Sequence, residues 1–157
     1  MRQSDRPVRS VLYIPGSKLR ALEKARTLPV DAIIFDLEDA VAPDEKVSAR
    51  NTLADALKSG GFAPRQCIVR INGTDTKWGA DDLAMFAPLA PDAILLPKVN
   101  TSEDVAAAAK ELTGETLIWA MMETPEGILN AAAIARAPRM GGFVMGTNDL
   151  AKDLNCR

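Results

Sequence analysis

The chain has 157 residues, 47% hydrophobic and 25% charged, with a formal net charge of −2. That length supports one domain with its own core, and the mildly acidic balance argues against nucleic-acid binding. No apolar run reaches the roughly 20 residues that span a bilayer, and the N-terminal MRQSDRPVRS lacks the apolar stretch of a signal peptide. The two cysteines, Cys67 and Cys156, form no framework, so a reducing cytoplasm is the expected setting. Histidine is absent altogether. Proton transfer must then fall to carboxylates, lysine or a metal-activated group. Any metal site must be built from oxygen, which favours Mg²⁺, Mn²⁺ or Ca²⁺.

In chain order, SVLYIP predicts a first strand, followed by a Gly16–Ser17 turn and a helix over about residues 18–28. DAIIFDLED predicts the second strand, and a helix follows over about 44–59, stopped by Gly60–Gly61. CIVRIN is the third strand, with a helix near 79–87 after it. AILLPKV is the fourth, and Thr101 with Asp104 forms a capping box for the next helix. TLIWAMME is the fifth, with Thr124 as cap and Pro125 in the first helical turn, and GGFVMG is the sixth. Strands at about 25-residue intervals, separated by helices, predict a parallel α/β fold. IPGSK carries a single glycine, so a dinucleotide-binding sheet is the weaker choice. The expected fold is a (β/α)₈ TIM-type barrel, which takes about 250 residues. Six βα units fit here, so residues 1–157 are expected to form one barrel domain that is incomplete on its C-terminal side.

Five of these apolar runs end in charge: Asp36, Glu38 and Asp39, then Arg70, Lys98, Glu123 and Asp149. In a parallel barrel such strand ends converge on the C-terminal rim, where the chemistry of the fold is placed. Glu123 and Asp149, from neighbouring strands, can share one hard cation; otherwise Asp149 caps a short helix and Glu123 pairs with a base. Arg70 suits a carboxylate, a phosphate or a developing enolate, or else an ion pair with the DLED acids. Lys98 is a Schiff-base nucleophile or a salt-bridge partner. Gly16, Ser17 and Lys18 offer backbone N–H groups at a helix start, a weak phosphate signal. Met121, Met122 and Met145 are expected to fill core, and Lys46, Arg50 and Lys58 to form the solvated face of the second helix.

The ordered set RSVLYIPGS, DAIIFDLEDAV with KVSAR, VRING, LLPKV, MMETPEGI and MGTNDLAKDL resembles the citrate lyase β-subunit family. This group includes citryl-, malyl- and citramalyl-CoA lyases and is related to the HpcH/HpaI aldolases. The resemblance implies Mg²⁺ held by Glu123 and Asp149, and Arg70 on the substrate near the reacting carbon. It implies that Glu38 and Asp39 support the metal's water shell, and that Gly16, Ser17 and Lys18 lie near CoA. The implied reaction is cleavage of a 3-hydroxyacyl thioester to a keto acid and an acyl-CoA. Alternatives on this scaffold are a malyl-CoA-type thioesterase, a free keto-acid aldolase or a non-catalytic magnesium- and keto-acid-binding subunit. The family also implies a trimer or hexamer, with an acyl-carrier protein or lyase complex as a further partner.

Overall fold

The structure is a computed structural model that describes residues 7–156. Its elements are β1 (Val11–Pro15), α1 (Leu19–Ala25), β2 (Ala32–Asp36), α2 (Lys46–Ser59), β3 (Gln66–Arg70) and α3 (Gly79–Phe86). They continue as β4 (Ala93–Leu96), α4 (Ser102–Glu111), β5 (Leu117–Met122), α5 (Pro125–Leu129), α6 (Ala131–Ile134), β6 (Met140–Met145) and α7 (Thr147–Asp153). All six strands are parallel and lie in the order β1-β2-β3-β4-β5-β6. A doubly wound sheet reverses direction at a switch point; this one never does, which is barrel winding.

The strands alternate as a pleated chain must. Ile33, Phe35, Val69, Ile94, Ile118 and Met122 face the helices and join Leu22, Leu53, Phe86 and Val105 in the larger core. Ala32, Ile34, Ile68, Ala93, Leu95 and Met121 form a second cluster on the other face. That face is concave. The Tyr13 hydroxyl of β1 lies 3.4 Å from Met121 Sδ of β5, whereas four strand spacings on a flat sheet would separate them by roughly 19 Å. Only a sheet that curls can close that gap.

The strands end earlier than their apolar runs suggest. β2 stops at Asp36 and β4 at Leu96, so Glu38, Asp39 and Lys98 occupy the loops beyond. Met145 is exposed, one of the alternate exposed residues of β6, and is not core as expected. No helix among the described residues is long and apolar enough to cross a membrane.

Two expected caps are present. Thr101 and Asp104 exchange the reciprocal bonds of a capping box, and Thr124 accepts from Gly127 N at the start of α5. Gly127 is needed for space, since a Cβ there would stand 2.2 Å from the Val99 carbonyl oxygen. Gly127→Ala therefore forces α5 away from the β4 loop and lowers stability by about 1–3 kcal/mol. Denaturant melts measure this, and an unchanged midpoint would overturn the close packing.

Candidate functional site

Alternation carries Asp36, Arg70 and Glu123 to the concave side at the C-terminal ends of β2, β3 and β5. Asp36 and Arg70 are register partners. Arg70 Nε donates to Asp36 Oδ1 at 2.7 Å and Nη2 donates to Oδ2 at 2.5 Å, a bidentate pair buried at both ends. The same carboxylate accepts from the backbone N–H groups of Glu38 and Ala40, which folds the DLED loop back over the strand end. Arg70 Nη1 then lies 3.0 Å from Glu38 Oε2 and 3.3 Å from Asp39 Oδ2. Burial alone would lower the Arg70 pKa, but the Asp36 bond and the surrounding acids outweigh it and hold the guanidinium charged. Its carbon stacks 5.2 Å from the Tyr13 ring centre.

The second half of the rim centres on Lys98. Its backbone N–H donates to Glu123 Oε1 at 2.8 Å, while its ammonium reaches Asp149 Oδ2 at 3.1 Å and Glu38 Oε1 at 3.5 Å. Burial works against that charge, but Asp149, Glu38 and Glu123 together raise the pKa. An amine held protonated is no nucleophile, so the salt-bridge reading of Lys98 prevails over the Schiff base. Asp149 lies in the first turn of α7 without capping it. Gly146, just before, lets that turn approach, because a Cβ there would meet Glu123 Cβ and Oε2 at 2.5 Å.

Two residues assigned to the solvated face of α2 are buried. The Lys46 ammonium donates to the carbonyls of Leu37 and Glu38, and Arg50 binds Asp82, Asp81 and the Trp78 carbonyl. Asp82 in turn holds Asn72 through its backbone and side-chain nitrogens. These bonds brace the DLED and VRIN loops from below. Only Lys58 is exposed as expected. At the β1 end, Gly16 N donates to the Asp36 carbonyl and Lys18 N to that of Pro15, so the Lys18 amide is not free for a phosphate. Ser17 Oγ is buried without a hydrogen-bond partner.

Five carboxylates thus face two cations, Arg70 and Lys98. The imbalance bears on the carboxyl pKa values. Burial pushes the Glu38 carboxyl up to about 7, with Asp39 adding to the rise and Arg70 and Lys98 opposing it. Burial also raises Glu123. Glu38 Oε2 is buried and, though near Arg70, has no aligned hydrogen bond. These all-oxygen donors and their excess charge fit a hard cation. Among the described residues no group of three or more such side chains is close enough to hold a metal ion unaided, so a cation here would need water or substrate to complete its shell. A separate cleft of about 480 Å³ at the opposite, N-terminal end of the strands is lined by Asp92, Thr116, Leu117 and Trp119 and by none of these candidates.

A curled parallel sheet with an acidic rim at its C-terminal edge is a (β/α)-barrel scaffold. The HpcH/HpaI aldolase/citrate lyase family model matches residues 9–157, and the chain belongs to that family. It is 60% identical over 151 residues to a (3S)-malyl-CoA thioesterase of Cereibacter sphaeroides, covering 96% of this chain and 53% of that protein. It is 35% identical over 157 residues to citrate lyase subunit beta of Escherichia coli, covering 93% of this chain and 52% of that one. Among solved structures, the citrate lyase beta subunit of M. tuberculosis complexed with oxaloacetate and magnesium matches with a TM-score of 0.81 at 30% identity. That match covers 100% of this chain and 66% of the other. The chain spans about half the length of the curated relatives it matches.

Removing Arg70 leaves buried acids without their cation. Arg70→Met is expected to cost about 3–5 kcal/mol at neutral pH, read by chemical denaturation, and an unchanged midpoint would exclude the clamp. Glu38 gives a pH signature. Its folded pKa lies above the unfolded value of 4.5, so protonation stabilises the fold. That contribution is full below the unfolded value and is lost as pH rises through about 7. In chelator-treated buffer, stability should fall between pH 5 and 8, and Glu38→Gln should flatten the fall. A slope that survives Glu38→Gln assigns it to another group.

Proposed function

We propose that this chain supplies the magnesium-binding and substrate-orienting rim of an enzyme acting on the CoA thioester of a short hydroxy-dicarboxylic acid. Its favoured reaction is hydrolysis of a malyl-type thioester. The observation that carries the proposal is that Lys98 links the two carboxylates, its backbone N–H to Glu123 and its ammonium to Asp149 and Glu38, while Glu38 also lies beside the Arg70 clamp. The 60% identity to proteins named (3S)-malyl-CoA thioesterase supports hydrolysis over carbon–carbon cleavage.

Glu123 and Asp149 are the residues that would hold magnesium, which when bound polarises a substrate oxygen as a Lewis acid. Arg70 directs its remaining N–H groups to the thioester carbonyl or the terminal carboxylate and stabilises the charge that develops there. Asp36 fixes the plane of that guanidinium, and Asp39 limits its swing. Glu38, with its pKa near 7, takes the proton of the attacking water. The carbon–sulfur bond then breaks and the proton held by Glu38 passes to the leaving sulfur, giving the hydroxy acid and the CoA thiol. Gly16, Ser17 and Lys18 lie on the CoA side of the mouth.

The second reading is carbon–carbon cleavage of the citryl-, malyl- or citramalyl-CoA type, supported by the likeness to citrate lyase subunit beta. Glu38 then takes the hydroxyl proton, the bond to the neighbouring carbon breaks, and Arg70 faces the thioester enolate. Within either reading the chain is the first six βα units of one barrel domain. Exposed Ile128, Leu129 and Leu154 support association, as a trimer or hexamer or with an acyl-carrier or lyase-complex partner. Two free cysteines suit a reducing cytoplasm.

Product analysis with (3S)-malyl-CoA and Mg²⁺ separates the readings. Hydrolysis releases free thiol and malate; lyase action yields glyoxylate and acetyl-CoA with no thiol. Free thiol is expected, and Glu123→Gln or Asp149→Asn should reduce its release by about 100-fold. Glyoxylate as the product would transfer the assignment to the lyase. Full activity in both carboxylate variants would remove the metal site.

A further inference from the structure

Lys98 is the one residue of the rim that touches three carboxylates from three separate segments. Its backbone adopts φ +49°, a left-handed conformation that a non-glycine residue rarely takes and that recurs at functional sites. That conformation aims the amide at Glu123 and the side chain between Asp149 and Glu38. The ammonium therefore sits against one of the two proposed magnesium ligands, while the backbone of the same residue holds the other. Its side chain is 53% exposed, so it can swing into water without leaving a buried unpaired charge. Arg70, at 8%, has no such exit.

We propose that Lys98 is the resident counter-ion of the magnesium position: its ammonium neutralises Asp149 and Glu38 in the metal-free protein and must leave Asp149 when a divalent cation enters. This rests on the magnesium reading above. Magnesium binding is thereby an exchange of cations, with the ammonium retained near Glu38. The site keeps its shape without metal, at the cost of weaker affinity for it. Lys98 is a positioning residue in this account and carries no bond-making step.

Isothermal titration of metal-free protein with MgCl₂ tests this, with no turnover involved. Deleting the competing charge in Lys98→Met should tighten magnesium binding by about ten-fold, a modest figure because the ion pair is half exposed and screened by water. Lys98→Arg keeps the charge and should bind like the parent. Lys98→Asn, whose side chain tolerates the left-handed backbone, supplies a second neutral variant should methionine fail to fold there. The metal-free melting temperature of either neutral variant should fall, and saturating Mg²⁺ should restore it. Equal or weaker affinity in both neutral variants overturns the exchange while leaving the magnesium reading intact. That reading has its own control: parent affinity unchanged in Asp149→Asn removes the magnesium position and Lys98's role with it. No heat of binding in the parent or either neutral variant also rejects both.

Discussion

The buried pairing of Arg70 with Asp36 sets the geometry of the whole rim. The two residues are register partners on adjacent strands, so the sheet itself delivers the guanidinium to the carboxylate. A planar fork against a planar carboxylate leaves little freedom of rotation. Because Asp36 also accepts from Glu38 N and Ala40 N, one carboxylate fixes both the arginine and the loop carrying two more acids. Lys46 closes the same loop from beneath through the carbonyls of Leu37 and Glu38. The rim is thus pinned from above by charge and from below by hydrogen bonds before any ligand arrives.

Much of this was legible in the sequence because strand alternation is a strict rule. Once the strands are assigned, Asp36, Arg70 and Glu123 have no choice of face, and the ETPEG and GTNDL turns place Thr124 and Asp149 beyond the edge. The partners of α2 were not legible. Lys46 and Arg50 read as a solvated stripe because helix periodicity shows that charges share a face. It does not show that Asp82, 32 residues on, will come to meet Arg50. Burial of an ionisable side chain is decided by such distant partners. The contact of Lys98 with Asp149, 51 residues away, was hidden for the same reason, though Lys98 itself stood out as a strand-end charge. Met145 was misjudged because strand position was equated with core, whereas alternate residues of β6 are exposed.

Glycine tells a related story. Gly127 follows the proposed metal ligand Glu123 and Gly146 precedes Asp149, and each is small because another group occupies the place of its side chain: the Val99 carbonyl in one case and Glu123 itself in the other. The motifs ETPEG and GTNDL therefore combine a ligand with the means of bringing it close. A larger residue at 146 would push directly on Glu123, so the spacing of the two carboxylates is held by packing as well as by charge.

The electrostatic state of the rim links stability to function. Burial raises the pKa of Glu38 and of Glu123, so their negative charge weighs against the fold. Arg70 offsets part of that charge permanently, since it is buried and cannot leave. Lys98 answers another part from the solvent side, where it can be exchanged. A hydroxy-dicarboxylate thioester would add negative charge to a rim already rich in it, a charge that a divalent cation or a protonated carboxyl would offset. Under the proposed function the same carboxylates would couple substrate entry to the metal, and the fixed arginine would set the orientation in which that substrate is received.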